Sequence, residues 1–412
     1  MAGENTVSSM DGLYKEVYAD TLNDVVPNSS VLYDLVKFDD GNRMGDSFHQ
    51  GVVLTMEHGF TYNGSAGGVA TLAAPIQATL KDASTSGFEM IGRSKMTYAA
   101  ASRAAAAGKA AFKQAWGTLL LNLRKASMKR LELQLGYGQQ GLGVVSSIAS
   151  GVITISDATW SPATWAGMEG AILEAFTGTT ATETQHNGDL TISAVSYANK
   201  TITVTGTSGA VAANDVLYFK GARTATAFNE MPGLMKIAAN TGTLFGISGA
   251  SYALWTGNTS SSFGTPTMGK YLAAVTDQVD RGLDEKVYLG VPPRAWEVLN
   301  ADLAGNREYD GSYSKSKAEN GSQAISYYGQ AGEIETRSMP FLRRGDSVLF
   351  PKSCLKRVGS ADMGMGVPGT DGRDVFFHVS TDNAVEARSF TDQALWCDAP
   401  AHCSFITGIT YP

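Results

Sequence analysis

The sequence predicts an α+β chain in which helices and strands are gathered into separate stretches. Two observations predict this. Ten alanines between residues 99 and 115 lead into Phe112, Trp116, Leu120, Leu123, Met128, Leu131 and Leu135, whose spacing puts them along one face of a helix. Before and after that helix lie short runs in which apolar and polar residues alternate, as they do in half-buried strands. A third observation sets the class. The chain has 412 residues, with 46 glycines, 12 prolines and only 17% charged side chains, which is too apolar for disorder. It is long enough to bury cores without disulfides, and at ~150 residues per domain it would hold about two to three.

Residues 1 to 45 form an arm. Leu13, Val17, Leu22, Val25 and Val26, then Val31, Leu32, Leu35 and Val36, are spaced for two short amphipathic helices separated by Pro27. From 46 to 97 the character changes to strand-like runs (47 to 55, 76 to 80, 88 to 91) around a glycine-rich centre, 59 to 68. This reads as a long β-hairpin. Its centre carries too few large apolar residues to make a core, so such a hairpin must find its burial elsewhere. The alanine-rich helix, if continuous from 99 to 135, is about 55 Å long and serves as a spine, although Gly108 and Gly117 weaken it.

Strand signals return from 151 to 222, interrupted by a helical piece at 163 to 176, with a turn at 197 to 199. A Gly/Ser/Thr-rich stretch, 241 to 265, precedes a helix at 268 to 283, a strand at 287 to 289 and a helix opening at Pro292 or Pro293. Residues 304 to 323 read as a loop. Strands are expected at 347 to 350, 375 to 379, 384 to 390 and 401 to 409, and there is no internal repeat.

Local chemistry is sparse. Gly136, Gly138 and Gly141, and again Gly364, Gly366 and Gly369, have the spacing of a dinucleotide fingerprint. The first set follows a helix rather than a strand, and the second has a proline where a helix should start, so both read as helix-ending and loop glycines. Cys397, His402 and Cys403 are metal ligands by type, but their spacing is unusual for zinc, a fourth ligand is wanting, and adjacent strand residues face opposite ways. Buried structural thiols are the expectation, with Cys354 standing alone. Three thiols without a framework suit a reducing cytoplasm. The five histidines are scattered, and no motif joins a nucleophile to a base, so no catalytic residue, metal or cofactor is assigned. No basic-then-apolar leader opens the chain, and no window is apolar for the ~18 residues a membrane span needs, so the expectation is a soluble chain that stays where it is made.

Charge is distributed in blocks. Residues 1 to 45 carry eight acids against three bases, and 46 to 136 carry ten bases against five acids, ending in Arg124, Lys125, Lys129 and Arg130. Such blocks suit pairing within one subunit or an arm laid across a neighbouring copy. The overall charge of −7 argues against a broad nucleic-acid-binding face.

The order of these parts resembles the major capsid proteins of tailed double-stranded-DNA bacteriophages, the Hong Kong ninety-seven type fold. The resemblance covers nearly the whole chain; its most telling stretches are VYLGVPPRAWEVL (287 to 299), VEARSF and ALWCDAPAHCSFITGI. It implies an N-terminal arm (1–45), an extended loop (46–97), a peripheral domain with the spine helix (98–150 and 345–412) and an axial domain (151–344), with 185–222 as a β-rich elaboration. It further implies hexamers and pentamers closing an icosahedral head assembled in a bacterial cytoplasm, with no membrane partner and no enzymatic activity. The implied partners are a separate scaffolding protein, a portal, a decoration protein, and double-stranded DNA enclosed without sequence-specific contact. On this resemblance Phe60, Tyr62, Asn63, Pro75 and Ile76 are candidate inter-subunit contacts, and the four cations of the spine are candidate inter-subunit or lumen-facing charges. Three rival readings remain: an encapsulin-like shell around protein cargo, a β-rich adhesin or binding module suggested by 151 to 265, and, weakest of the three, an enzyme.

Overall fold

The structure is a computed structural model that describes residues 30–42, 45–65, 67–100, 102, 109–180, 182–186, 188–305, 325–366, 375–379 and 381–411. The first expected arm helix and most of the loop at 304 to 323 lie outside the described residues. The second arm helix is present as Val31–Leu35. The spine is a helix over Lys109–Tyr137, about 43 Å long. It ends where the glycines follow: Gly138 N donates to Gln134 O, and Gly141 adopts a left-handed φ of 72°. A side chain at Gly138 would stand 2.1 Å from Met231 O, so this glycine also permits the close approach of the chain at 231 to 233. The dinucleotide spacing at 136 to 141 is thus a helix ending, as expected.

Four bodies gather round the spine. The first is an antiparallel ribbon, Ser47–Val53 against Leu80–Ser86, in register from Ser47↔Ser86 to Val53↔Leu80. The third run of the expected hairpin belongs to another sheet. Phe88–Thr97 pairs antiparallel with the long C-terminal strand Ala384–Cys397, from Phe88↔Gln393 to Thr97↔Ala384. That strand's other edge carries Leu355–Met365 and Phe376–His378, completing a four-stranded sheet, the second body. It lies on the spine at Gly92, where a Cβ would come within 2.8 Å of Ser127 Oγ and closer still to Ser389 Oγ. Those two hydroxyls hydrogen-bond to each other at 2.6 Å.

The third body is a closed six-stranded barrel of Gly143–Ala149, Val152–Ile155, Thr201–Gly206, Leu190–Ser196, Ile172–Phe176 and Val216–Phe219. Its interior holds Ile153, Ile155, Leu173, Leu190, Ile192, Ile202 and Leu217, closed at one end by the stacked Trp160 and Trp165. This revises two expectations. The helix at 163 to 176 shrinks to Pro162–Trp165, and the residues after it form a barrel strand, because alternate side chains Leu173 and Ala175 are needed inside. The second concerns the β-rich run at 185 to 222, which is part of this barrel. Its strands pair with others that begin at Gly143, ahead of the expected boundary at 150/151, and no barrel closes without them.

The fourth body is a six-stranded mixed sheet in the order Asn258–Ser260, Ser404–Ile406, Ser347–Pro351, Val287–Val291, Gly332–Ser338, Ile325–Gly329. Helices Met268–Val279 and Pro293–Gly305 cover it, the latter with its proline at the first turn. Its core is Met268, Tyr271, Val275, Val287, Leu289, Val291, Leu299, Ile334 and Leu349.

The largest core joins these bodies. Leu131 and Leu135 of the spine meet Leu32, Leu35 and Val36 of the arm, Ala83 of the ribbon, and Trp396 of the long strand. Trp396 is sandwiched by Phe245, stacked at 4.5 Å, and Phe48, edge-on at 4.9 Å. The base of the ribbon therefore has a core within its own subunit.

Candidate inter-subunit surface

Beyond Val53 and Leu80 the ribbon loses regular pairing but keeps its direction. Leu54 N donates to Thr79 O, His58 and Ile76 form an isolated bridge, Ala73 N donates to Thr61 Oγ1 at 2.7 Å, and Asn63 Nδ2 donates to Gly68 O. Main-chain and short polar bonds of this kind shape a projection without giving it a core. Its large side chains stand in solvent: Met56 is 79% exposed, Phe60 73%, Tyr62 94%, Leu72 82% and Ile76 60%. Pro75 is exposed beside them. A cluster of large apolar groups on a narrow projection marks a contact surface for another macromolecule. Four of the five loop residues singled out in the sequence offer apolar surface here, whereas Asn63 spends its amide on the tip's own backbone.

The four spine cations separate. Arg124 is exposed and Lys125 half-buried. Lys129 is buried, its Nζ donating to Ala166 O, and burial lowers its pKa to about 8. Arg130 lies flat over Phe219 at 4.0 Å from the ring centre. Lys129 and Arg130 therefore join the spine to the barrel inside one subunit. A helix turns about 100° per residue, so these two adjacent positions both fall within the broad face that the barrel covers.

The described part of the arm docks on the spine through an acid of the spine. Glu132 of the spine, itself an acid, accepts hydrogen bonds from Leu32 N at 2.8 Å and Tyr33 N at 2.9 Å, satisfying orphan amides of the first turn of Val31–Leu35. Arg357 completes the dock. It is 3% exposed, donates from Nε to Val36 O, grips Asp362 and Gln393, and stacks on Tyr33 at 4.1 Å. Neither residue has a local motif. Their partners in the arm lie about 100 and 320 residues away, so only the fold reveals them.

Buried carboxyls collect around the C-terminal end of the spine. Burial pushes Glu132 and Glu230 up to about 7 and Asp346 up to about 6, even though Glu230 accepts from Gln139 N and Asp346 from Tyr137 Oη. A carboxyl whose pKa is raised by folding keeps its proton when the unfolded chain has lost it. Stability from these groups is therefore full below the ordinary carboxyl range and is shed as pH rises through about 6 to 7. Urea titrations of the unassembled subunit should show stability falling between about pH 5 and pH 7.5, and Glu132→Gln should flatten that slope; a tenfold difference in proton affinity between the folded and unfolded chain corresponds to about 1.4 kcal/mol. A pH-independent midpoint across that range would contradict the assignment.

No protein-family model matches the sequence, and no curated protein does. Solved structures match the fold. The chain in the Cyanophage A-1(L) capsid asymmetric unit aligns over 99% of this chain and 100% of its own, with a TM-score of 0.62 and 13% identity. The chain in the capsid of a native GTA particle aligns over 99% of this one and 100% of its own, with a TM-score of 0.51 and 8% identity. This chain has the fold of a phage capsid protein, over its full length.

Proposed function

We propose that the chain is the major capsid protein of a tailed bacteriophage, a structural protein that assembles as hexamers and pentamers into the icosahedral head around double-stranded DNA. The observation that carries the proposal is the ribbon tip. It is a projection with its base cored in its own subunit and its large apolar side chains bare, on a fold that capsid chains share along their whole length. In this reading 1–45 is the arm and the ribbon within 46–97 is the extended loop. The spine with the four-stranded sheet is the peripheral domain, and the mixed sheet with its two helices is the axial domain. The barrel is an elaboration placed between spine and axial domain, and it enters the chain at Gly143. Tip residues Phe60, Tyr62, Pro75 and Ile76 lie on the adjacent subunit. A separate scaffolding protein guides closure, and a portal and decoration protein complete the head in the host cytoplasm.

Sedimentation of protein from infected or scaffold-supplied cells tests this. Particles of megadalton size are expected, and their contents separate a phage head from an encapsulin-like shell, because packaged DNA absorbs strongly at 260 nm and protein cargo does not. A species that stays monomeric at every concentration with scaffold present would refute the proposal.

Contact with the genome is confinement rather than grip. Lys129 and Arg130 of the spine's basic cluster are committed to the barrel joint, and the net charge of −7 opposes broad contact with phosphates. Titration of soluble subunits with duplex DNA should give weak, sequence-independent binding with a shallow salt slope. Tight binding at physiological salt, or preference for one sequence, would show a nucleic-acid site elsewhere.

A further inference from the structure

Cys354 meets Cys397 and Cys403, 43 and 49 residues further on, where the chain crosses between two sheets. Cys354 lies in the turn joining Ser347–Pro351 of the mixed sheet to Leu355–Met365 of the four-stranded sheet. Cys397 ends the long strand Ala384–Cys397, and Cys403 stands just before Ser404–Ile406 of the mixed sheet. Their exposures are 5%, 0% and 0%. The Sγ atoms are 3.8 Å (Cys354–Cys403), 3.9 Å (Cys354–Cys397) and 3.9 Å (Cys397–Cys403) apart.

We propose that Cys354, Cys397 and Cys403 form a three-sulfur site for a soft, thiophilic d10 cation, which staples the two sheets of the subunit together. The triangle is nearly equilateral. The point equidistant from its corners lies about 2.2 Å from each sulfur, close to the metal–sulfur bond length of about 2.3 Å. A cation at that point would bond all three sulfurs with almost no movement of the chain. A disulfide, by contrast, would have to choose one pair from three near-equal distances, pull its sulfurs together to about 2.05 Å, and strand the third. Sulfur donors select Cu(I) and Zn(II) among common ions. His402, next to Cys403 in sequence, is not in the cluster, and among the described residues no His, Asp or Glu joins the three thiols. Three sulfurs in a plane suit Cu(I), while Zn(II) would take a fourth ligand from outside the protein. The site is closed, so the ion would enter as the chain folds, release thiol protons to solvent, and add its binding energy to folding.

The test is to unfold the full chain under reductant, refold it with one equivalent of Zn(II), of Cu(I), or of neither, and read stoichiometry by native mass spectrometry and stability by thermal melting. One ion per chain is expected, with a higher melting midpoint and slow loss to a competing chelator; the stronger of the two arms identifies the ion. Cys354→Ser and Cys403→Ser should each weaken retention by about tenfold or more. If a variant does not refold, chelator competition on the unaltered chain still decides. Refolding to the native transition with neither ion taken up, a disulfide in the refolded product, or equal retention in every serine variant would overturn the proposal.

Discussion

Shortening the ribbon tip between residues 59 and 68 is expected to abolish assembly while the isolated subunit keeps a cooperative melting transition. The two halves of the ribbon explain the split. At its base Phe48 packs on Trp396, and Ala83 is fully buried in the core that also holds the spine. At its tip Tyr62 is 94% exposed, and the bonds holding the projection are local. Removing exposed loop residues costs a domain little, so the midpoint should move by no more than about 2 °C. In the proposed capsid the same residues supply interface in every ring contact, and a contact that loses its apolar anchors loses most of its energy. Tyr62→Ala with Phe60→Ala should weaken assembly in the same direction without changing chain length. Loss of cooperative melting in the shortened subunit would place the tip in the core instead.

Arg357→Ala is expected to destabilise the subunit by about 3–5 kcal/mol and to free the arm. The guanidinium is buried among partners that cannot readily be satisfied without it: Asp362 on two nitrogens, Gln393 at 2.9 Å and the carbonyl of Val36. The main chain adds a bridge there, Arg357 N to Lys37 O and Asp39 N to Arg357 O, which holds the arm beside Leu355–Met365. Arg357→Lys should rescue little, because an ammonium cannot make the forked contact to Asp362 and stack on Tyr33 as well. The readouts are urea unfolding and limited proteolysis, with faster cleavage between residues 30 and 42. A variant of unchanged stability would show that the arm is held by its leucines alone.

The parts that announce themselves in the sequence are those whose periodicity matches their environment. Leu123, Leu131 and Leu135 recur on one spine face and are buried there, and the helix stops two residues beyond the expected 135. Pro293 opens its helix and Val287–Val291 precedes it, as the run at 287 to 299 suggests. Failures have physical causes. Leu355–Met365 shows no alternation because Gly359 and Gly364 sit at two irregularities in its register, so its strand signal is broken. Ile172–Phe176 contains Leu, Glu and Ala, good helix formers, and barrel closure overrides their preference. The expected third limb of the hairpin, Phe88–Thr97, has the right alternation but the wrong partner, since alternation reports a buried face and not the strand beside it. The hairpin's lack of large apolar residues was legible as a need for burial elsewhere, and the resemblance alone singled out the tip side chains. Glu132, Arg357 and the joining of Cys354 to Cys397 and Cys403 were not legible, because each depends on contacts between remote segments.

Electron microscopy of the purified protein, produced with its scaffold or recovered from infected cells, tests the central claim most directly. The account expects closed icosahedral shells built of six-fold and five-fold rings, with each ribbon tip lying on the adjacent subunit. Dispersed monomers under those conditions, or closed shells in which Phe60, Tyr62 and Ile76 remain bare, would contradict it.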